Sequence, residues 1–163
     1  MNVLVAIALG SNLGDRRAHL DWAVDRLREF LDDVRVSSII ETDPVGVPDE
    51  QPRYLNAVAV GKTALEPEAL LDRLLALERA RGRERPAPNA ARTLDLDLIL
   101  YGSLMLNTNQ LEIPHPRFRD RAFVLGPLAE LQPDWRDPVS ALTVEELLIR
   151  AKDRGQREKG KQM

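Results

Sequence analysis

The sequence predicts an α+β fold: a ferredoxin-like βαββαβ sandwich with an antiparallel sheet, helices on one face and a C-terminal extension. Three observations point there. The chain has 163 residues, room for one domain, and 44% of them are hydrophobic, enough for one core. Its apolar stretches alternate between short β-branched runs and segments of helical period. Read in order, they give strand, helix, strand, strand, helix, strand.

Residues 3–9 form a continuous apolar run, the pattern of a central strand covered on both faces. Gly10-Ser11-Asn12-Leu13-Gly14 breaks it and is expected to turn the chain and cap the first helix. Leu20, Ala23, Val24, Leu27 and Leu31 then recur at helical spacing, so that helix is expected over about 15–31. Residues 34–41, rich in Val, Ile and Ser, read as a second strand. Residues 42–53 hold three prolines and a glycine and read as a loop, long enough to suggest a functional one. Residues 54–62 read as the third strand.

Glu66-Pro67-Glu68 opens the second helix, with Pro in its first turn and acids at the positive end of the dipole. Leu70, Leu71, Leu74, Leu77 and Glu78 follow on one side, and Gly82 ends it. Residues 83–92, with Pro86 and Pro88, form a second irregular loop. Residues 93–101 are the fourth strand, 106–113 a candidate fifth, and 123–131 a short helix. From 149 to 163 the chain reads as a charged, flexible tail behind a single domain of residues 1–148.

Composition removes several kinds of chemistry. No cysteine is present, which excludes disulfides, thiolate metal sites and Cys nucleophiles. Two histidines, His19 and His115, cannot make a three-His zinc site. No apolar run approaches the ~20 residues of a membrane span. The apolar start lacks a basic region and a cleavage site, so it reads as a strand rather than a leader, and a cytoplasmic protein without a membrane partner is expected. A net charge of −3 argues against a nucleic-acid partner. Of 23 basic residues nearly all are Arg, a bias that either a GC-rich genome or phosphate recognition produces.

The sharpest motif is Arg92-Thr93-Leu94-Asp95-Leu96-Asp97-Leu98-Ile99-Leu100. In a strand, Leu94, Leu96, Leu98 and Leu100 share the core face, and Asp95, Asp97, Ile99 and Tyr101 the other. The two Asp Cα atoms then lie about 7 Å apart, and their carboxylates can share divalent ions ~3.5–4 Å apart, the spacing of two-metal phosphoryl chemistry. Hard oxygen donors suit Mg²⁺. The same alternation also fits a solvated strand face. Five arginines (Arg79, Arg81, Arg83, Arg85, Arg92) stand against Glu78 and Glu84 just upstream. Arg79 and Arg81 read as dipole partners at a helix end, while Arg83, Arg85 and Arg92 fit a polyphosphate as well as a solvated loop. His115 lies between Pro114 and Pro116, with Arg117, Arg119 and Arg121 following, a phosphate-facing pattern around a residue type that is more often structural. His19 reads as a surface residue. Gly61-Lys62-Thr63 resembles the end of a P-loop, but Asn56 stands where that pattern needs Gly.

GSNLGDR, ETDPVG, QPRYLNAV, RTLDLDLILYG and IPHPRFRDRAFVLGPLAEL occur in this order between about residues 6 and 131. Together they resemble the 6-hydroxymethyl-7,8-dihydropterin pyrophosphokinase family. The resemblance implies a ferredoxin-like folate-pathway enzyme that transfers pyrophosphate from ATP to the pterin hydroxymethyl oxygen and releases AMP. It implies that Asp95 and Asp97 hold two Mg²⁺ ions. Arg83, Arg85, Arg92, Arg121 and His115 would bind ATP phosphates and stabilise the transferring group, with Glu78 and Leu98 approaching ATP. Tyr54 and Phe123 would sandwich the pterin, and Asn56, Thr42 and Val45 would meet its edge. Tyr54 and Asn56 share a strand face, as a stacking ring and an amide should. Without the family, Tyr54 and Phe123 fit equally as core residues. A monomer is expected.

The chain departs from the family where Asn89-Ala90-Ala91 replaces Trp-Gly-Pro, where Pro116 replaces an aromatic, and where Gln110 and Glu112 stand near the nucleotide base. Rival readings are a family member that binds without turnover, a generic Mg-dependent nucleotidyltransferase, and an RNA-binding ferredoxin-like module. The low aromatic content of 4%, the net charge and the Asp pair oppose the last.

Overall fold

The computed structural model describes residues 2–43, 52–82 and 93–161, with side chains as far as residue 155. Strand β1 (Val3–Ser11) is followed by helix α1 (Arg16–Leu27), then β2 (Asp32–Val36), β3 (Ile40–Thr42) and β4 (Tyr54–Thr63). Helix α2 (Pro67–Ala80), β5 (Asp95–Tyr101), and the short β6 (Leu106–Asn107) and β7 (Glu112–Ile113) come next. A 3₁₀ turn (Phe118–Asp120) leads into α3 (Ala122–Leu131) and α4 (Val144–Lys161). The main sheet is antiparallel in the order β2-β4-β1-β5, with β3 also paired to β4.

β1 is buried on both faces and lies between β4 and β5, at the centre of the packing. Val5, Ile7 and Leu9 join Leu20, Ala23 and Leu27 of α1 and Leu70 and Leu74 of α2 in one apolar cluster. Ala6, with Val58 and Val60 of β4, joins Val124, Leu125 and Leu128 of α3 and Val144 and Leu147 of α4 in another. The expectation of helices on one face is therefore corrected: α3 and α4 cover the second face, because both faces of β1 and β4 are apolar.

Several boundaries differ from expectation for local reasons. β1 runs on through Gly10 and Ser11, and Asp15 rather than the glycine-rich turn caps α1, its Oδ1 accepting from Ala18 N–H at 3.1 Å. The expected second strand splits into β2 and β3 around Ser37, whose N–H donates to Val58 O and whose Oγ accepts from Val58 N–H, both at 2.9 Å. Gly82, at φ +90°, follows α2 in a conformation that disfavours a side chain. The candidate fifth strand is a separate two-stranded ribbon, β6 with β7. Where a flexible tail is expected, α4 continues to Lys161, seated by Leu147 and Ala151 and by Arg154, which pairs with Asp120 at 2.9 Å.

The expected alternation along β5 holds through Ile99, which joins the α3–α4 cluster on the face of Asp95 and Asp97, and breaks at Leu100. The β1–β5 register shifts between Ala6 and Ile7, which pair with Leu100 and Leu98, so Ile99 is an extra residue. The bulge moves Leu100 into the α3–α4 cluster and Tyr101 into the α1–α2 cluster, where Tyr101 Oη donates to Leu65 O at 2.6 Å. Ile99 O accepts instead from His115 N–H at 2.9 Å, which ties the His115 segment to β5.

Candidate active site

On the α3 side, β1, β4 and β5 lay side by side the residues that the registers Gly10↔Asn56 and Gly10↔Asp95 bring level. A cleft of about 190 Å³ opens there, lined by Thr42, Tyr54, Asn56, Asp95, Asp97, Arg121 and Phe123, with Ala8 and Gly10 as its floor. A second cleft of about 230 Å³ is lined by Leu71, Leu75, Glu78, Leu98, Gln110, Glu112, His115 and Pro116. Asp95 and Asp97 line both. The two clefts thus meet at one pair of carboxyl groups.

The first cleft is half aromatic and half hydrogen-bonding. Tyr54 and Asn56 alternate on β4, and Asn56, 8% exposed, donates from Nδ2 to Thr42 Oγ1 at 2.6 Å. That bond links β3 to β4 beneath the cleft. Gly10 leaves room here: a Cβ would stand 3.4 Å from Asn56 Oδ1 and 3.5 Å from the Tyr54 ring. The Arg121 guanidinium lies 5.6 Å from the centre of the Phe123 ring.

In the second cleft, Glu78 is 2% exposed and its Oε2 accepts from Leu96 N–H at 2.8 Å. β5 is an edge strand, so this carboxyl group satisfies an edge donor lying between the two aspartates. His115 Nδ1 accepts from Arg117 N–H at 3.1 Å. Burial, then the charges of Arg121 and Arg117, pull the His115 pKa down to about 4. The ring is neutral at pH 7 and, with Nδ1 occupied as an acceptor, carries its proton on Nε2 as a donor.

Of the residues singled out from sequence, Thr42, Tyr54, Asn56, Asp95, Asp97, Arg121 and Phe123 meet in the first cleft, and Glu78, Leu98 and His115 border the second. Val45, Arg83, Arg85 and Arg92 lie outside the described residues. Arg119 does not join the phosphate-facing group suggested by its spacing: it is bound to Asp137. Nor is His19 a bare surface residue, since its Nδ1 accepts from Arg81 Nε at 2.9 Å, with Arg81 also 5.0 Å from the Trp22 ring. Ala8, Gly10, Leu71 and Leu75 were not foreseen as lining residues; only the β-strand and helix periods through β1 and α2 carried that signal. Among the described residues no helix is long and apolar enough to cross a membrane.

The model of the 7,8-dihydro-6-hydroxymethylpterin-pyrophosphokinase (HPPK) family matches residues 6–133. The chain belongs to this family. The 2-amino-4-hydroxy-6-hydroxymethyldihydropteridine pyrophosphokinase of Pseudomonas aeruginosa is 44% identical over 136 residues, 82% of this chain and 83% of that protein. The Bacillus subtilis enzyme of the same name is 45% identical over 133 residues, 80% of this chain and 79% of its own length. A crystal structure of Plasmodium falciparum HPPK-DHPS with pterin and p-hydrobenzoate superposes with a TM-score of 0.74 over 96% of this chain at 14% identity. The chain spans 46% of that protein, and the likeness bears on fold alone. Family membership makes the chain an enzyme of the pyrophosphokinase class, whose activity is pyrophosphoryl transfer in folate biosynthesis.

Proposed function

We propose that this chain transfers the pyrophosphoryl group of ATP to the hydroxymethyl oxygen of 6-hydroxymethyl-7,8-dihydropterin, releasing AMP. The observation that carries the reading is that Asp95 and Asp97 line both clefts. The pterin occupies the first, its ring between Tyr54 and Phe123 and its polar edge at Asn56 and Thr42, and Val45 is assigned to the same edge by the family resemblance. ATP occupies the second, past Glu78 and Leu98, with its phosphates toward His115 and Arg121, and Arg83, Arg85 and Arg92 are assigned to the phosphates by the family resemblance.

The donor set at the junction fits Mg²⁺. Two hard carboxyl groups face the clefts, and among the described residues no group of three or more carboxylates and imidazoles completes a cage. Phosphate and water would then fill the shells, as Mg²⁺ prefers. We assign two ions to Asp95 and Asp97; bound there, they would supply neutralisation of phosphate charge. The chain's own residues position and screen. Tyr54, Phe123 and Asn56 orient the pterin so that its hydroxymethyl oxygen meets the β-phosphorus in line, beside Asp97. The new O–P bond forms as the bond to the α-phosphate oxygen breaks; that oxygen leaves on AMP, and the hydroxymethyl proton is released to water. His115 donates from Nε2, and Arg121 from its guanidinium, to phosphate oxygens whose charge develops.

A ferredoxin-like core is our description of β1-α1-β2-β4-α2-β5, supported by the strand order β2-β4-β1-β5. In this reading the chain is a single catalytic domain that includes α4 and so extends past residue 148, acting as a monomer in the cytoplasm. The deciding experiment mixes the protein with ATP, Mg²⁺ and the hydroxymethyl pterin and measures AMP. Pterin-dependent AMP is expected. Ligand binding without AMP overturns the reading in favour of a binding protein.

A further inference from the structure

Arg119 and Asp137 line neither cleft, and Asp137 lies beyond residues 6–133. Yet they form a densely bonded charged pair. Asp137 is fully buried. Its Oδ2 accepts from Arg119 Nε at 2.5 Å and its Oδ1 from Arg119 Nη2 at 2.9 Å, a two-pronged contact. The same carboxylate accepts from Val139 N–H at 3.1 Å, Ser140 N–H at 3.2 Å and Ser140 Oγ at 2.7 Å. Burial would raise its pKa, but these bonds outweigh burial and hold it at about 2, so the pair stays charged.

The pair sits behind the site. Arg119 belongs to the 3₁₀ turn, its guanidinium 4.9 Å from the ring of the fully buried Phe118. The turn is a short rigid link: Phe118 N–H reaches back to His115 O, and Arg121 N–H to Phe118 O at 3.1 Å. His115 on one side borders the second cleft, and Arg121 on the other borders the first. From the other side α4 also holds this turn, through Arg154, which pairs with Asp120 at 2.9 Å and donates from Nη2 to Arg119 O at 2.9 Å; among the described residues of the loop between α3 and α4, Asp137 supplies the charged contact to it. Trp135, which donates from Nε1 to Gly102 O at 3.1 Å, anchors that loop to the end of β5. The pair thus couples the loop, itself fastened to β5, to the segment that carries Arg121.

We propose that the Arg119–Asp137 clamp is a positioning device that sets Arg121 against the transferring phosphoryl group. The proposal rests on the pyrophosphokinase reading above. A shift of about 1 Å in a charge-stabilising group can cost about a hundredfold in rate, whereas ground-state pterin binding, made by Tyr54, Phe123 and Asn56, depends less on Arg121.

The test uses the full-length protein and three variants. Arg119→Lys keeps the charge but loses the fork. Asp137→Asn keeps the shape. The double variant Arg119→Met/Asp137→Asn removes both charges, so that no ion is left buried alone. Pterin-dependent AMP formation gives kcat, pterin fluorescence gives Kd, and thermal melting reports folding. The expected result is a fall in kcat of at least tenfold in Arg119→Lys and in the double variant, with pterin Kd within threefold, measured well below each melting temperature. A kcat within twofold of wild type in either folded variant overturns the proposal, even if melting falls. Loss of pterin affinity with kcat retained overturns it as well. Failure of the wild-type protein itself to form AMP defeats the parent reading instead, and is distinguishable because no variant enters that measurement.

Discussion

Glu78 links stability to the site, and its replacement is informative. Its Oε2 accepts from Leu96 N–H at 2.8 Å, in a position 2% exposed. Leu96 faces Leu9 across the β1–β5 ladder, and its N–H points to the open edge, where α2 is the neighbour. Glu78→Leu fills the space with an apolar side chain of similar size but strands that donor, at a cost of about 1–3 kcal/mol. For a chain of this length each kcal/mol moves the melting temperature by about 2–4 °C, so a fall of roughly 4–8 °C is expected for a loss near 2 kcal/mol. Glu78→Gln keeps an acceptor and should lose no more than about 1 kcal/mol. Thermal unfolding by circular dichroism checks both, and AMP formation should fall further in the Leu variant, because Leu96 stands between Asp95 and Asp97. A Leu variant melting within about 1 °C of wild type, or a Gln variant as weak as the Leu one, would refute the idea that this side chain holds the strand edge.

Three further outcomes follow from the same geometry. Asp97→Ala should lower pterin-dependent AMP formation by at least about a hundredfold with unchanged melting, as removal of a charge-organising group does, and chelation of divalent ions should do the same to the wild type. Tyr54→Ala should weaken pterin binding by about tenfold, the value of a lost stacking partner of roughly 1–1.5 kcal/mol, while the KM for ATP holds; equal losses for both substrates would contradict the division into two clefts. His115 has its pKa lowered to about 4, against 6.5 in the unfolded chain. The unfolded state therefore binds a proton before the folded state does, and ligand-free stability should drop as pH falls from about 6.5 to 4. Because the ring is partly exposed, the drop is at most about 2 kcal/mol after solvent screening, and His115→Asn should flatten it in urea titrations at several pH values.

How much of this was legible in the sequence differs residue by residue. Asp95 with Asp97, and Tyr54 with Asn56, could be paired on sight because each pair lies two apart in one strand, where local geometry alone puts them on one face. Arg119 and Arg121 also lie two apart, yet they part company: Arg121 borders the cleft while Arg119 is taken by Asp137, a partner 18 residues away. Leu100 and Tyr101 changed faces because a bulge at Ile99 depends on pairing with β1 and on the His115 N–H, neither of which is encoded in the period of β5. The tail from residue 149 concealed a helix because its apolar contacts are sparse along an otherwise charged face.

By itself the sequence determined most local alternations, the strand-helix-strand-strand-helix-strand order of the core, the removal of thiolate and three-histidine chemistry, and the carboxyl–arginine–imidazole set suited to phosphate. These follow from covalent order and from side chains within one or two turns of each other. Only the tertiary structure decided that both sheet faces carry helices, that Asp95 and Asp97 stand where two clefts meet, and that Glu78 closes the strand edge between them. Each of these is set by contacts between segments far apart in the chain. Such contacts are chosen by which apolar faces and which unpaired donors remain to be covered once the local elements have formed.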